Sequence, residues 1–178
     1  MTGHKLAGTR AAGFTMVELI IVMILIGILG AIAGSRFFDR SGFDADAFAD
    51  QTRALLRYAQ KAAIARNNPV FVQLDDNRIA LCYDAPQGNC APANRLAAPA
   101  AGVGGKASEI HCQDERWYCL GLPEGVQVAL SVALTEFYFD ALGRPVTPGG
   151  TPGGLVMTIT SPGETRTVTV NHETGYVQ

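Results

Sequence analysis

Charge is scarce in this chain. Its 178 residues carry 14 lysines and arginines against 16 aspartates and glutamates, a net charge of −2 at pH 7. No run of five or six like charges occurs, so the sequence offers no general attraction for nucleic acid, and partners must be recognised by shape. Histidine is rarer still: His4, His111 and His172 stand far apart, none beside a second ligand at metal spacing. There is no Cys-x-x-Cys, no Gly-x-Ser-x-Gly, no phosphate-binding loop and no pair of acids in a recognisable catalytic setting, so no catalytic residue, metal or cofactor is assigned. Asp75, Asp76 and Asn77 resemble the start of a calcium loop, but the later oxygen ligands of a twelve-residue site are missing and a hairpin turn accounts for them.

What the chain has in abundance is apolar sequence, 48 % of all residues, concentrated near the start. From Phe14 to Gly34 about twenty-one residues, at roughly 1.5 Å each, are enough to span a hydrocarbon layer of roughly 30 Å. Glu18 is the one carboxylate in the run. About a dozen Phe, Val, Leu and Ile residues contribute on the order of −4 to −7 kcal/mol to insertion, against about 2.5–3.5 for a charge at the helix centre, so the segment still inserts with Glu18 near its end. Lys5 and Arg10 precede it, whereas Asp39, Asp44, Asp46 and Asp50 dilute Arg36 and Arg40 after it. That asymmetry keeps the N-terminus in the cytoplasm and exports the rest. Two alternatives are a cleaved secretory signal, with "GAIAG" as its small-residue site, and a long buried core helix, which would normally show a polar face.

The four cysteines suit an exported protein. Cys82, Cys90, Cys112 and Cys119 form two local pairs, spaced too widely for zinc ligands. Of the three possible connectivities, Cys82–Cys90 with Cys112–Cys119 closes the shortest loops and is the one favoured, each bond worth about 2–3 kcal/mol.

From Asp44 to Arg66, the residues Phe48, Thr52, Leu55, Ala59 and Ala62 recur every three to four positions, an amphipathic helix that Asn67, Asn68 and Pro69 end. With "DRSG" as the only break, the two helices are expected to make one rod with a weak point near Ser41 and Gly42. "VFVQL" and "IALCY" then read as a hairpin, followed by the strands "VQVALSVAL", "FYF", "LVMTIT", "RTVTVN" and "YVQ". Val168 and Val170 alternate with Thr167 and Thr169, as in a half-buried strand. Between Asp84 and Leu120 lies an aperiodic excursion rich in Ala, Pro and Gly, and Pro148 to Gly154 reads as a flexible loop.

The segment "GFTMVELIIVMILIGIL" resembles the N-terminus of type IV pilins and type II secretion pseudopilins. The resemblance implies that a prepilin peptidase cuts after Gly13 and N-methylates Phe14, and that Glu18, then fifth in the mature chain, meets the N-terminal amine of a neighbouring subunit during assembly. "RALLRYAQKAAIARNNPVFVQL" is similar to the GspH/FimT group of minor pilins, and "RFFDRSGFDADAFADQTRALLRYAQK" more so to MshC-type minor pilins of mannose-sensitive haemagglutinin (MSHA) pili. "FYFDALGRPV" and "VTVNHETGYVQ" resemble the last strands of that group, while the cysteine-bearing middle matches nothing nameable. Ser35 stands where many members have a proline.

The implied fold class is α+β, a long N-terminal helix packed on an antiparallel β-sheet head. Residues 1–13 would be the leader, 14–36 the transmembrane and assembly helix, 37–66 the amphipathic half and 67–178 a periplasmic head. Implied partners are other pilins or pseudopilins, the peptidase, an inner-membrane assembly platform and membrane lipid before assembly; nucleic acid is not expected. The implied function is priming or capping of a pilus or pseudopilus. The alternative is a FimT-like DNA receptor, which needs basic residues near the C-terminus; here "NHETGYVQ" has Glu173 and no Lys or Arg.

Overall fold

A computed structural model describes residues 14–37, 41–86, 88–99, 105–150 and 153–178, with side chains from 31 to 43 excepted. It divides into two units, Met1–Asp39 and Arg40–Gln178.

The first unit contains helix α1, Met16–Phe37. Its described side chains, which stop at residue 30, are exposed, Leu19, Ile20, Leu25 and Leu29 among them, and the sequence has no polar face opposite an apolar one. Among the described residues no helix is long and apolar enough to cross a membrane. The expected span runs to Gly34, past residue 30 where the described side chains of α1 stop, so part of that expectation lies outside the described residues. The side chain of Ser35 lies there too, as do the leader and Gly13.

The second unit is the head. Helix α2, Ser41–Arg66, lies against strands β1 (Val70–Asp75), β7 (Leu155–Ser161) and β8 (Glu164–Val170). Phe48, Thr52, Leu55, Ala59 and Ala63 form its buried stripe, widened by Ala45, Ala49 and Leu56. The stripe expected from sequence ended at Ala62, which is only partly buried; one step of the 3.6-residue period carries it to Ala63. Ser41 and Gly42, expected as a break, are the first residues of α2. The one-rod expectation turns on residues 38–40, outside the described ones.

Two antiparallel sheets complete the head. One has the order β3-β2-β1-β5-β6, built from β2 (Arg78–Cys82), β3 (Cys119–Gly121), β5 (Glu136–Phe139) and β6 (Pro145–Val146) around β1; the other has the order β4-β7-β8, with β4 at Gln127–Leu130. Inward positions alternate along β7 as Leu155, Met157 and Ile159, and along β8 as Val168 and Val170. These residues and α2 share one core with Val70, Val72, Leu81, Phe137 and Phe139.

Three segments differ from expectation. "VQVALSVAL" is a strand only to Leu130, because the Ser131 N–H still bonds Val156 O but a tight turn, Leu134 N–H to Val132 O, then redirects the chain to β5. "YVQ" adds a single bridge, Val177 to Val170. The Asp84–Leu120 excursion is held by both disulfides, as its cysteines suggested, but it also has regular structure. It contains helix α3, Lys106–Cys112, and the segment 94–98 that bridges Cys82 to Arg95 and Ala97 to Trp117, placing Leu96 and Tyr118 in the main core. Of the Pro148–Gly154 loop, residues 151–152 lie outside the described ones.

Candidate functional site

The first turn of α1 holds the residues singled out by sequence. Phe14 and Thr15 precede the helix, and Phe14 is 80 % exposed. The Glu18 N–H donates to Thr15 Oγ1 at 3.2 Å, and the Leu19 N–H to Thr15 O at 3.2 Å. Thr15 is therefore an N-cap, and Thr15-x-x-Glu18 has the spacing of a capping box, in which a hydroxyl satisfies one of the four orphan N–H groups of a helix start. Sequence reading passed over Thr15, although the Thr-x-x-Glu pattern was present. The macrodipole favours an acid in this turn, so Glu18 is compatible with its own helix before any partner arrives. Among the described residues its carboxylate has no ion-pair partner, so the arrangement presents an exposed aromatic next to an uncompensated acid. Gly13, the third residue of the motif, lies outside the described residues.

The head carries the other residues. Cys82 is bonded to Cys90 and Cys112 to Cys119. Both disulfides pack with Ala80 and Trp117 into a second buried cluster, on the sheet face turned away from α2. The Trp117 Nε1–H donates to Leu81 O at 2.8 Å, while the guanidiniums of Arg95 and Arg78 lie 4.4 and 5.1 Å from its ring centroid. Arg95 pairs with Asp114 at 3.0 Å, and Arg78 with Asp75 at 2.8 Å. The Arg116 N–H and then the Arg95 guanidinium hold the Asp114 carboxyl below its ordinary value. Asp75 also accepts from the Asn77 N–H at 3.0 Å, so the Asp75-Asp76-Asn77 run makes the β1–β2 turn.

Among the described residues no group of three His, Cys, Asp or Glu side chains could hold a metal. His172 lies 3.6 Å from Glu173 on the surface. Arg166, the last cation of the sequence, is engaged by Asp46 and by Glu164 at 2.6 Å.

Residues 8–34 match the model of the prokaryotic N-terminal methylation motif. A curated relative, the type IV narrow pilus major component PilA5 of Thermus thermophilus, is 48 % identical over 70 residues, 38 % of this chain. The match spans 60 % of that relative's length. Among solved structures, the type IV minor pilin FimU of Pseudomonas aeruginosa superposes with a TM-score of 0.51 at 17 % identity, over 75 % of this chain and 85 % of its own. The chain has a minor-pilin fold. The minor pseudopilin EpsH of the Vibrio cholerae type 2 secretion system is similar to the same degree, with a TM-score of 0.51, 15 % identity and coverage of 76 % and 94 %. Pilin-like in fold and carrying a methylation motif, the chain has a capped apolar helix and a head with two disulfides on one side.

Proposed function

We propose that the chain is a minor subunit of a type IV pilus or type II secretion pseudopilus, and that it is incorporated into the filament through α1. The observation that carries this reading is the constellation in residues 8–34: a methylation motif in which Gly13 and Phe14 precede a capped helix with one acid, Glu18, in its first turn. Residues 1–13 act as the leader, a prepilin peptidase cuts at Gly13 and methylates Phe14, and residues 14–36 anchor the chain in the inner membrane with residues 67–178 in the periplasm. An inner-membrane assembly platform then draws it into the filament, where it primes or caps. The likeness of residues 36–61 to MshC-type members of the GspH/FimT group supports a place in an MSHA-like pilus. The role is structural, and we assign it no reaction.

Glu18 sets the register. In a bundle of apolar helices without water an unpaired carboxylate costs several kcal/mol, whereas one facing an ammonium is compensated. The charged amine of a neighbour's methylated first residue supplies that ammonium, so one axial offset between helices is favoured over the rest. The test is Glu18→Ala, with Gly13→Asp as the control that blocks processing. Glu18→Ala leaves a methylated Phe14 by intact mass but lowers the chain in sheared filaments at least tenfold; wild-type levels in the filaments would sink the reading.

A further inference from the structure

The two ends of α2 differ in chemistry. Asp44, Asp46 and Asp50 occupy its first half, and Arg53, Arg57, Lys61 and Arg66 its second. Two of these acids are engaged, Asp46 by Arg166 and Asp50 by Arg53. Asp44 at one end and Lys61 at the other are in no ion pair among the described residues, and the Arg57 guanidinium bonds only the carbonyl of Val177, at 2.9 Å.

Near the basic end lies an apolar patch. Leu142 is 70 %, Tyr176 59 % and Ile64 50 % exposed, unusual for large side chains on a head whose core is otherwise well covered. They converge because Gln60 Nε2 donates to Gly143 O and Thr174 O, at 3.1 and 2.7 Å, drawing the 140–143 and 171–175 turns onto the end of α2. Gly143 and Gly175 take positive φ, and a Cβ on Gly143 would come within 2.7 Å of Ile64. The patch thus rests on two turns packed as closely as glycine allows.

Near the acidic end, roughly 25 Å away along α2 at 1.5 Å per residue, a groove of about 690 Å³ opens between α2, α3 and the chain after β3. Phe48, Leu122 and Val126 lie along it, and Ile110, 56 % exposed, stands beside them. Asp44, Asp76 and Glu124 line it against one lysine, Lys106, and none of the three is in an ion pair among the described residues.

We propose that this head stacks on a second copy of the same chain, the Ile64–Leu142–Tyr176 patch of one copy seating against the acidic groove beside Ile110 of the next. The occupant is a second copy because each surface supplies what the other lacks: apolar bulk flanked by Arg57 and Lys61 on one, a hollow with an apolar floor and carboxylates along it on the other. Two different surfaces at opposite ends of one helix make a heterologous contact, in which neighbouring copies point the same way, as adjacent subunits of one filament do. The proposal deepens the filament reading above, rests on it for its biological setting, and is tested apart from it.

A photo-reactive benzoylphenylalanine in place of Leu142, in the full chain in detergent micelles, gives a dimer whose cross-linked peptide maps to residues 105–126. Lys61→Glu lowers the yield at least threefold at low salt, and adding Asp44→Lys to the same chain restores it; near-ultraviolet circular dichroism from Trp117 verifies that each variant is folded. Absence of dimer, 142-to-142 adducts, adducts on α1, or capture of a different pilin in place of this chain from whole cells overturns the proposal. The cross-link persists in Glu18→Ala. Loss of filament incorporation without loss of the cross-link, or the reverse, separates failure of one reading from failure of the other.

Discussion

Asp140 shows how one side chain holds a turn that two other segments depend on. Its Oδ1 accepts the Leu142 and Arg144 N–H groups at 2.9 and 2.8 Å, and its Oδ2 pairs with the Arg144 guanidinium at 2.8 Å. Burial pushes this carboxyl up, but the backbone donors and the guanidinium outweigh burial and hold it below its ordinary value. A group whose folded pKa is depressed contributes stability that is complete above the unfolded pKa, near about pH 4, and is lost as pH falls through the folded one. Asp140→Asn therefore costs about 1 kcal/mol at pH 7, and the gap to wild type narrows at pH 3, as read by urea unfolding at the two pH values. Gly121 makes a second demand. A Cβ there would collide with the backbone carbonyl of Ala107 in α3, and the Gly121 N–H donates to Ser108 Oγ at 2.9 Å. Gly121→Ala costs about 1–3 kcal/mol, seen as a lower urea midpoint with an unchanged slope.

Among the elements, α2 and the disulfide-bearing segment rest on opposite faces of one sheet, and they are held differently. α2 is fixed by Phe48, Leu55 and Leu56 in the main core and by Arg53 and Arg57, which reach the carbonyls of Thr167 and Val177. The stretch from Asp84 to Tyr118 enters the main core through Leu96 and Tyr118 but otherwise rests on a small cluster with Trp117 at its centre and both disulfides around it. Reduction removes about 2–3 kcal/mol per short loop and acts first on that face, where both disulfides lie. Under dithiothreitol Trp117, the one tryptophan, shifts its fluorescence to the red, and hydrogen exchange quickens in α3 and around 94–98 while α2 and β7–β8 stay protected. Exchange rising equally in α2 would show that the two faces fold as one unit.

For the molecule as a whole, charge placement bears on which partners it can take. A DNA receptor needs several free cations to displace counterions from phosphates. Arg166 is committed to Asp46 and Glu164, Arg78 and Arg95 to acids beside Trp117, and the C-terminal turn bears Glu173. We expect no salt-sensitive shift of duplex DNA by the full chain in micelles on a native gel at 50 mM salt, roughly the regime where phosphate contacts bind most tightly; a shift abolished at 200 mM would instead favour the DNA-uptake reading.

Much of this architecture was legible in the residues, because it rests on local pattern. The 3.6-residue spacing from Phe48 to Ala59, the period-2 alternation at Val168 and Val170 and the turn residues at Asp75–Asn77 each encode an element without distant help. The methylation motif matched by residues 8–34 is one continuous stretch of sequence and needs no distant contact to be read. What the sequence could not indicate depends on contacts between segments far apart in the chain. Helix α3 has seven residues, too few for periodicity to show, and is held by Cys119 and Gly121. Strand β6 has two residues and exists because Tyr138 and Phe139 lie alongside. The gathering of Ile64, Leu142 and Tyr176 on one surface follows from Gln60 holding two turns 83 and 114 residues downstream. Sequence alone determined the longer helices and strands and the apolar run at the N-terminus, since neighbours a few positions apart decide those. Only the tertiary structure decided what the middle of the chain does and which exposed residues form a surface, since those depend on long-range closure that no local pattern records.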